Sequence, residues 1–145
     1  MRAKTLTLAA ILMAAPAISM AAEKVVHLPF DRAVSEATRN GKLDGSVKFY
    51  LAGTGPHGKV LDDNVTISRK TNAFGKSDQE TCDHVLETNL ISLQDDAKRA
   101  GANAVTDIVS NYNNVEFRDT QNYECHKGFL MSGVALKAKF ARVGR

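Results

Sequence analysis

The sequence predicts an α+β domain in which a largely antiparallel sheet packs against one long helix. Three observations carry that expectation. One stretch near the middle of the chain repeats its apolar residues with the 3.6-residue period of a helix. Runs rich in Val, Ile, Phe and Tyr lie on both sides of it. Gly, Pro and Asn clusters separate the runs, as turns between strands do.

The long helix is the best defined element. Its start is SDQE, Ser77 to Glu80, a capping box in which each side chain satisfies a backbone N–H of the first turn. Cys82, Leu86, Leu90, Leu93, Ala97 and Ala100 then share one face, with Asp83, Glu87, Asp95, Asp96 and Lys98 on others. Gly101 supplies the stop. From Asp78 to Ala100 such a helix is about 34 Å long.

The remaining elements follow in chain order. FDRAVSEATRNGKLDG reads as a short helix capped by Asp31 and stopped at Gly41. SVKFYLAG and NVTISRKTN read as two strands joined by a Gly/Pro hairpin connection. After the long helix, NAVTDIVSNY is a strand and NNVEFRDTQNYECHKG an excursion or hairpin. FLMSGVALKAKFARV is the last strand, with Leu130, Val134, Leu136, Ala138 and Phe140 on one face and Lys137 and Lys139 on the other. The whole of 22–145 is expected to form a single domain, since no repeat or long linker divides it.

The first residues announce a leader. Arg2 and Lys4 precede an apolar run from Leu6 to Ala15, then Pro16 and the small residues Ser19 and Ala21, so 1–21 reads as a secretory signal peptide. The run is too short to span a bilayer, and no cysteine stands at the cleavage point to carry a lipid anchor. Removing 21 of the 145 residues leaves 124, and the loss of Arg2 and Lys4 leaves 17 basic against 16 acidic side chains. That balance shows no basic run of the kind a nucleic-acid binder uses. A periplasmic or secreted protein is expected, with neither a membrane span nor a lipid anchor.

GTGPHGKV, residues 53–60, imitates the glycine-lysine frame of a phosphate-binding loop. Such a loop needs a hydroxyl after the lysine and a helix whose N-terminus faces the phosphates. Here Val60 stands in the hydroxyl position, and VLDDNVTISRK reads as turn and strand. No nucleotide site is expected, and no cofactor. Neither a G-x-S-x-G nor an H-E-x-x-H motif occurs, and the adjacent acid pairs Asp62-Asp63 and Asp95-Asp96 fit turn and helix-surface roles, so the chain is not expected to be an enzyme. Tyr112, Phe117 and Tyr123 flank one loop, where such aromatics form either a recognition surface or the cap of a small core.

Three runs, RKTNAFGKSDQETC (69–82), GANAVTDIVSNY (101–112) and YECHKGFLMSGVALKA (123–138), resemble a family of small secreted bacterial proteins often labelled "excinuclease ATPase subunit". From Cys82 to Ala138 the chain also resembles, more distantly, the YbjQ heavy-metal-binding-domain family and the signalling domain of the outer-membrane stress sensor RcsF. These resemblances imply a YbjQ/RcsF-like fold. The excinuclease label is not supported, since that chemistry needs intact nucleotide motifs and zinc cysteines in the cytosol.

Cys82 and Cys125 are the only cysteines, and export places them in an oxidising compartment. Cys82 belongs to the apolar face of the long helix, and Cys125 precedes the last strand, which the resemblance sets beside that helix. A disulfide between them is expected. The alternative is a metal site built from Cys82, His84, Cys125 and His126, the ligand types of zinc or copper. Neighbouring side chains diverge in C-x-H on a helix and in C-H on a strand, which works against convergence.

Two functional classes stay open. One is a non-enzymatic envelope module that binds an unidentified envelope protein or senses stress, held together by one disulfide. The other is a periplasmic binder of a heavy metal or small ligand, as the YbjQ name implies.

Overall fold

A computed structural model of the protein describes Ala10 and residues 23–144. The expected leader, Ala10 apart, and its cleavage point lie outside these residues. The first element is a strand absent from the sequence expectation, β1 (Lys24–Pro29). Only six residues long, it alternates exposed with half-buried positions, and His27 and Pro29 weaken its apolar signature.

Pro29 ends β1 and opens α1 (Phe30–Arg39) without a side-chain cap. Asp31 therefore lies inside the first turn, where the positive end of the helix dipole stabilises its charge, rather than at the N-cap expected for it. Pro29 already has the extended geometry a cap residue needs, which displaces that role by two positions. Gly41 ends the helix as expected, in the left-handed conformation that glycine adopts without strain.

Strands β2 (Lys48–Leu51) and β3 (Lys59–Asn72) precede α2 (Asp78–Arg99), which is followed by β4 (Ala104–Ser110), β5 (Asn122–Lys127) and β6 (Met131–Arg142). All six strands form one mixed sheet of order β1-β5-β6-β4-β2, with β3 paired to β6. The β6 strand is the spine. One edge pairs with β3 along its length, while the other is shared between β5, at Ser132 and Gly133, and β4, from Leu136 to Ala141. Every pairing is antiparallel except β2 with β4.

That one exception overturns the hairpin expected at residues 53–58. Because β2 runs parallel to β4 and both β4 and β3 run antiparallel to β6, β2 and β3 point the same way with β4 and β6 between them. Residues 53–58 are thus a crossover, turned at Gly53 and Gly55 with positive φ. Strand-forming sequence on both sides of a glycine loop does not fix which strands pair.

The long helix matches its expected span to within a residue, and Ser77 accepts the backbone N–H of Glu80 as its cap. Cys82, Leu86, Leu90, Leu93 and Ala97 are buried against the sheet, but Ala100 is exposed, because the helix ends at Arg99 and the chain turns away. The buried face is also wider than expected. Thr81, Val85 and Asn89 join it, Asn89 donating its side-chain amide to the Val134 carbonyl at 2.9 Å. Truncating one of its leucines to Ala is worth roughly 2–5 kcal/mol. Two helices, not one, cover this face, with Phe30, Ala33 and Ala37 of α1 completing the core.

On β6, Val134, Leu136, Ala138 and Phe140 face that core as expected. Leu130 does not; it lies one residue before the strand and is largely exposed.

Candidate functional site

The sequence FLM after Gly128 cannot all face inward, because successive strand residues point to opposite faces. In the structure, Lys127 pairs with Ser132 and the Gly128 N–H donates to the Met131 carbonyl at 2.8 Å, closing a tight β5–β6 hairpin. Phe129 and Leu130 form its tip. Ala73, one residue past β3, donates its N–H to the Leu130 carbonyl and brings the β3–α2 turn alongside. Phe74 on that turn packs edge-to-face on Phe129, ring centres 5.4 Å apart.

The result is a contiguous apolar surface open to water. Phe74 is 59 % exposed, Phe129 68 %, Leu130 60 % and Met131 47 %. Scattered exposed apolar residues are ordinary, but four large ones from two adjoining turns are the composition of a contact surface.

Behind the tip is a groove of about 590 Å³, walled by Phe129, Met131 and Tyr112 with Lys70, His126 and Glu23 supplying polar groups. Gly133 shapes its floor, since a Cβ there would come within 2.9 Å of the Tyr112 ring. Tyr112 stacks on His126 with ring centres 3.8 Å apart and donates its hydroxyl to Glu23 at 3.1 Å. Burial, then the bond and charge of Glu23, raise the Tyr112 phenol above its ordinary pKa, so it remains a neutral donor.

A polar relay continues along β5 and β1. The Glu124 carboxylate lies between two imidazoles, 2.7 Å from His126 Nε2 and 3.1 Å from His27 Nε2, and His27 in turn stacks on Phe117. Register explains the grouping: His27 is opposite Glu124 and Val25 opposite His126, so all four side chains share the sheet face away from α2.

Directly beneath, on the other face of β5, Cys125 is joined to Cys82 of α2. Both are fully buried, with Cα atoms 5.9 Å apart. Tyr123, on the same inward face, donates its hydroxyl to Asp83 at 2.6 Å. Arg32 lies 2.8 Å from the other Asp83 oxygen, close but outside hydrogen-bond alignment. Asp78, in the first turn of α2, pairs with Lys24 and Lys127 at 2.7 and 2.9 Å. The floor of the groove is therefore bolted to α2 by a covalent bond, a buried phenol and a bridging carboxylate.

The residues considered as metal ligands are not brought together. The disulfide occupies both sulfurs, His126 is held by Tyr112 and Glu124, and His84 lines a separate groove between α1 and α2 beside Glu36, Glu80 and Glu87. Among the described residues, no group of three or more His, Cys, Asp or Glu side chains is arranged to hold a metal ion. Of the three loop aromatics, Tyr112 and Phe117 lie on the outer face with the histidines, whereas Tyr123 belongs to the core.

Lys59 leads straight into β3, so the glycine loop is followed by a strand and not by a helix. No helix among the described residues is long and apolar enough to cross a membrane. In the sequence the signal for this surface is Phe129-Leu130-Met131, three consecutive large apolar residues at a strand entrance, whereas Phe74 stands alone between Ala73 and Gly75. No family model matches the chain, and neither the curated proteins nor the solved structures include a match.

Proposed function

We propose that this chain is a non-enzymatic module of the bacterial cell envelope that recognises another protein through the surface formed by Phe74, Phe129, Leu130 and Met131. One observation carries the reading: of four large apolar side chains, each about half exposed or more, Phe129, Leu130 and Met131 line a groove beside the stapled strand β5, and Phe74 packs on the Phe129 ring. Keeping such a surface in water costs free energy unless a partner covers it, and aromatic and Met side chains are those that anchor interfaces.

The Cys82–Cys125 bond fits the oxidising compartment that the leader implies. The resemblance to the RcsF signalling domain supplies the physiological setting, envelope stress sensing. The YbjQ resemblance offers the alternative of a heavy-metal or small-ligand binder, which would have to work without the two thiolates taken by the disulfide.

The test is retrieval of an envelope protein by the immobilised chain, compared with a Phe129→Asp, Met131→Asp variant. Both substitutions are at exposed positions, so the variant should melt within about 5 °C of the parent, since surface changes rarely exceed ±0.5 kcal/mol each. Saturable retrieval by the parent and its loss in the variant are expected. Equal retrieval by both would contradict the reading, and stoichiometric zinc or copper on the purified protein would move it to the alternative.

A further inference from the structure

We propose that the partner engages this surface as an extended, acidic segment that adds a further strand to the free edge of β3. The inference rests on the partner-binding reading above and names the class of partner.

Strand β3 is 14 residues long, and β6 is its only strand partner among the described residues. Alternate residues of β3 therefore aim their N–H and C=O groups away from β6, as at any sheet edge. Proteins usually spoil such an edge with bulges, proline, a short strand or charged side chains, and in its second half β3 carries only the last, Arg69 and Lys70, which repel a second copy but admit an acidic strand. Here the irregularities fall between Val60 and Val65, and no proline interrupts the strand. From Val65 to Asn72 the register with β6 is unbroken, from Ala138 to Met131. The second half of β3 is thus a regular template.

Charge selects the occupant. Between Asn64 and Ser77 the chain carries Arg69, Lys70 and Lys76 and no carboxylate. None of the three is ion-paired among the described residues, whereas Lys24, Lys127, Lys137 and Lys139 all are. A strand bearing Glu or Asp is complementary to this edge. A second copy of β3 would bring like charges together, which disfavours self-pairing.

Position joins the edge to the apolar surface. β3 ends opposite Met131 and runs directly into Phe74, and Lys70 belongs both to the edge strand and to the groove wall. An antiparallel partner strand, the more stable pairing, starts at that end. Its first residues would meet Phe74 and Phe129, and carboxylates on the face it shares with Lys70 would follow, while Arg69, on the opposite face, adds to the positive charge of the edge. The recognised pattern is an apolar anchor followed by acidic residues at alternate positions, with backbone bonds supplying affinity and side chains specificity.

The probe is the N-acetylated peptide LFTEVEVT, titrated into the isotope-labelled chain while amide hydrogen exchange is followed. Saturable binding is expected, with slower exchange at alternate amides of 65–72. Arg69→Glu with Lys70→Glu should weaken it by about tenfold, as should replacing both peptide glutamates by lysine. Methylating alternate peptide nitrogens should abolish it.

Strand addition is overturned by any of three results: no saturable binding at about 1 mM; equal binding of the methylated peptide; or protection confined to residues outside 65–72. Binding of phosphatidylglycerol vesicles that displaces the peptide would assign the surface to a bilayer instead. If the peptide fails while Phe129→Asp still abolishes protein retrieval, strand addition is wrong and the partner surface stands. If Phe129→Asp changes neither retrieval nor peptide binding, the apolar surface itself is misassigned.

Discussion

Replacing Cys82 and Cys125 by Ala removes the covalent link between α2 and β5, and its cost can be worked from the chain. The two residues are 43 apart. Closing a loop of that size contributes about 4 kcal/mol in the chain-entropy model. Both cysteines are fully buried, so their loss also leaves a void in the core. In a domain of this size each kcal/mol is worth several degrees, which gives a fall in Tm of roughly 10–20 °C. Thermal unfolding followed by circular dichroism measures it, with a urea titration to confirm that the m-value stays constant and the native state is intact. Thiol titration of the unfolded, unreduced parent should find almost no free sulfhydryl. A Tm within about 3 °C of the parent would refute the claim that this bond is a principal staple. So would two titratable thiols in the parent.

Two further outcomes are expected. Tyr123→Phe should cost roughly 1–2 kcal/mol at neutral pH, because it removes a buried bond to the Asp83 carboxylate. Burial, reinforced by Asp83, pushes the Tyr123 phenol far above its ordinary value, so the folded state keeps it protonated. Its contribution is therefore full below about pH 10 and is lost as pH rises beyond that point, and the Phe variant should show a shallower alkaline fall in urea-denaturation stability. Intact-mass measurement of the exported chain should give a product beginning at Ala22, and a mass that retains Met1 to Ala21 would remove the basis for an envelope location.

The helices were more legible than the sheet. Helix periodicity is local: Ser77, Gly101 and the leucine spacing sit within one segment and define α2 without reference to anything distant. Strand pairing depends on residues far apart, and nothing near 53–58 reveals that β2 runs parallel to β4 while β3 joins β6. β1 was hidden for a related reason, since its pairing with β5 buries only alternate residues and leaves a weak apolar pattern. At the candidate site, Cys82 and Cys125 were visible as a pair because only two cysteines exist. The apolar tip was not, because assigning Leu130 to the core by extrapolating the β6 alternation one residue backwards concealed a hairpin turn. Met131 begins the strand, and the turn before it breaks the alternation.

The claim that the Phe129 surface meets another protein is tested most directly by site-specific photo-crosslinking in the envelope, with a benzophenone amino acid placed at Phe129 and, in a second chain, at Asp95 on the exposed side of α2. The account predicts a discrete crosslinked species from position 129 that is absent at position 95 and is lost when Phe74→Asp and Met131→Asp are added. Indistinguishable crosslinking from the two positions, or a species at 129 that survives those substitutions, would contradict it.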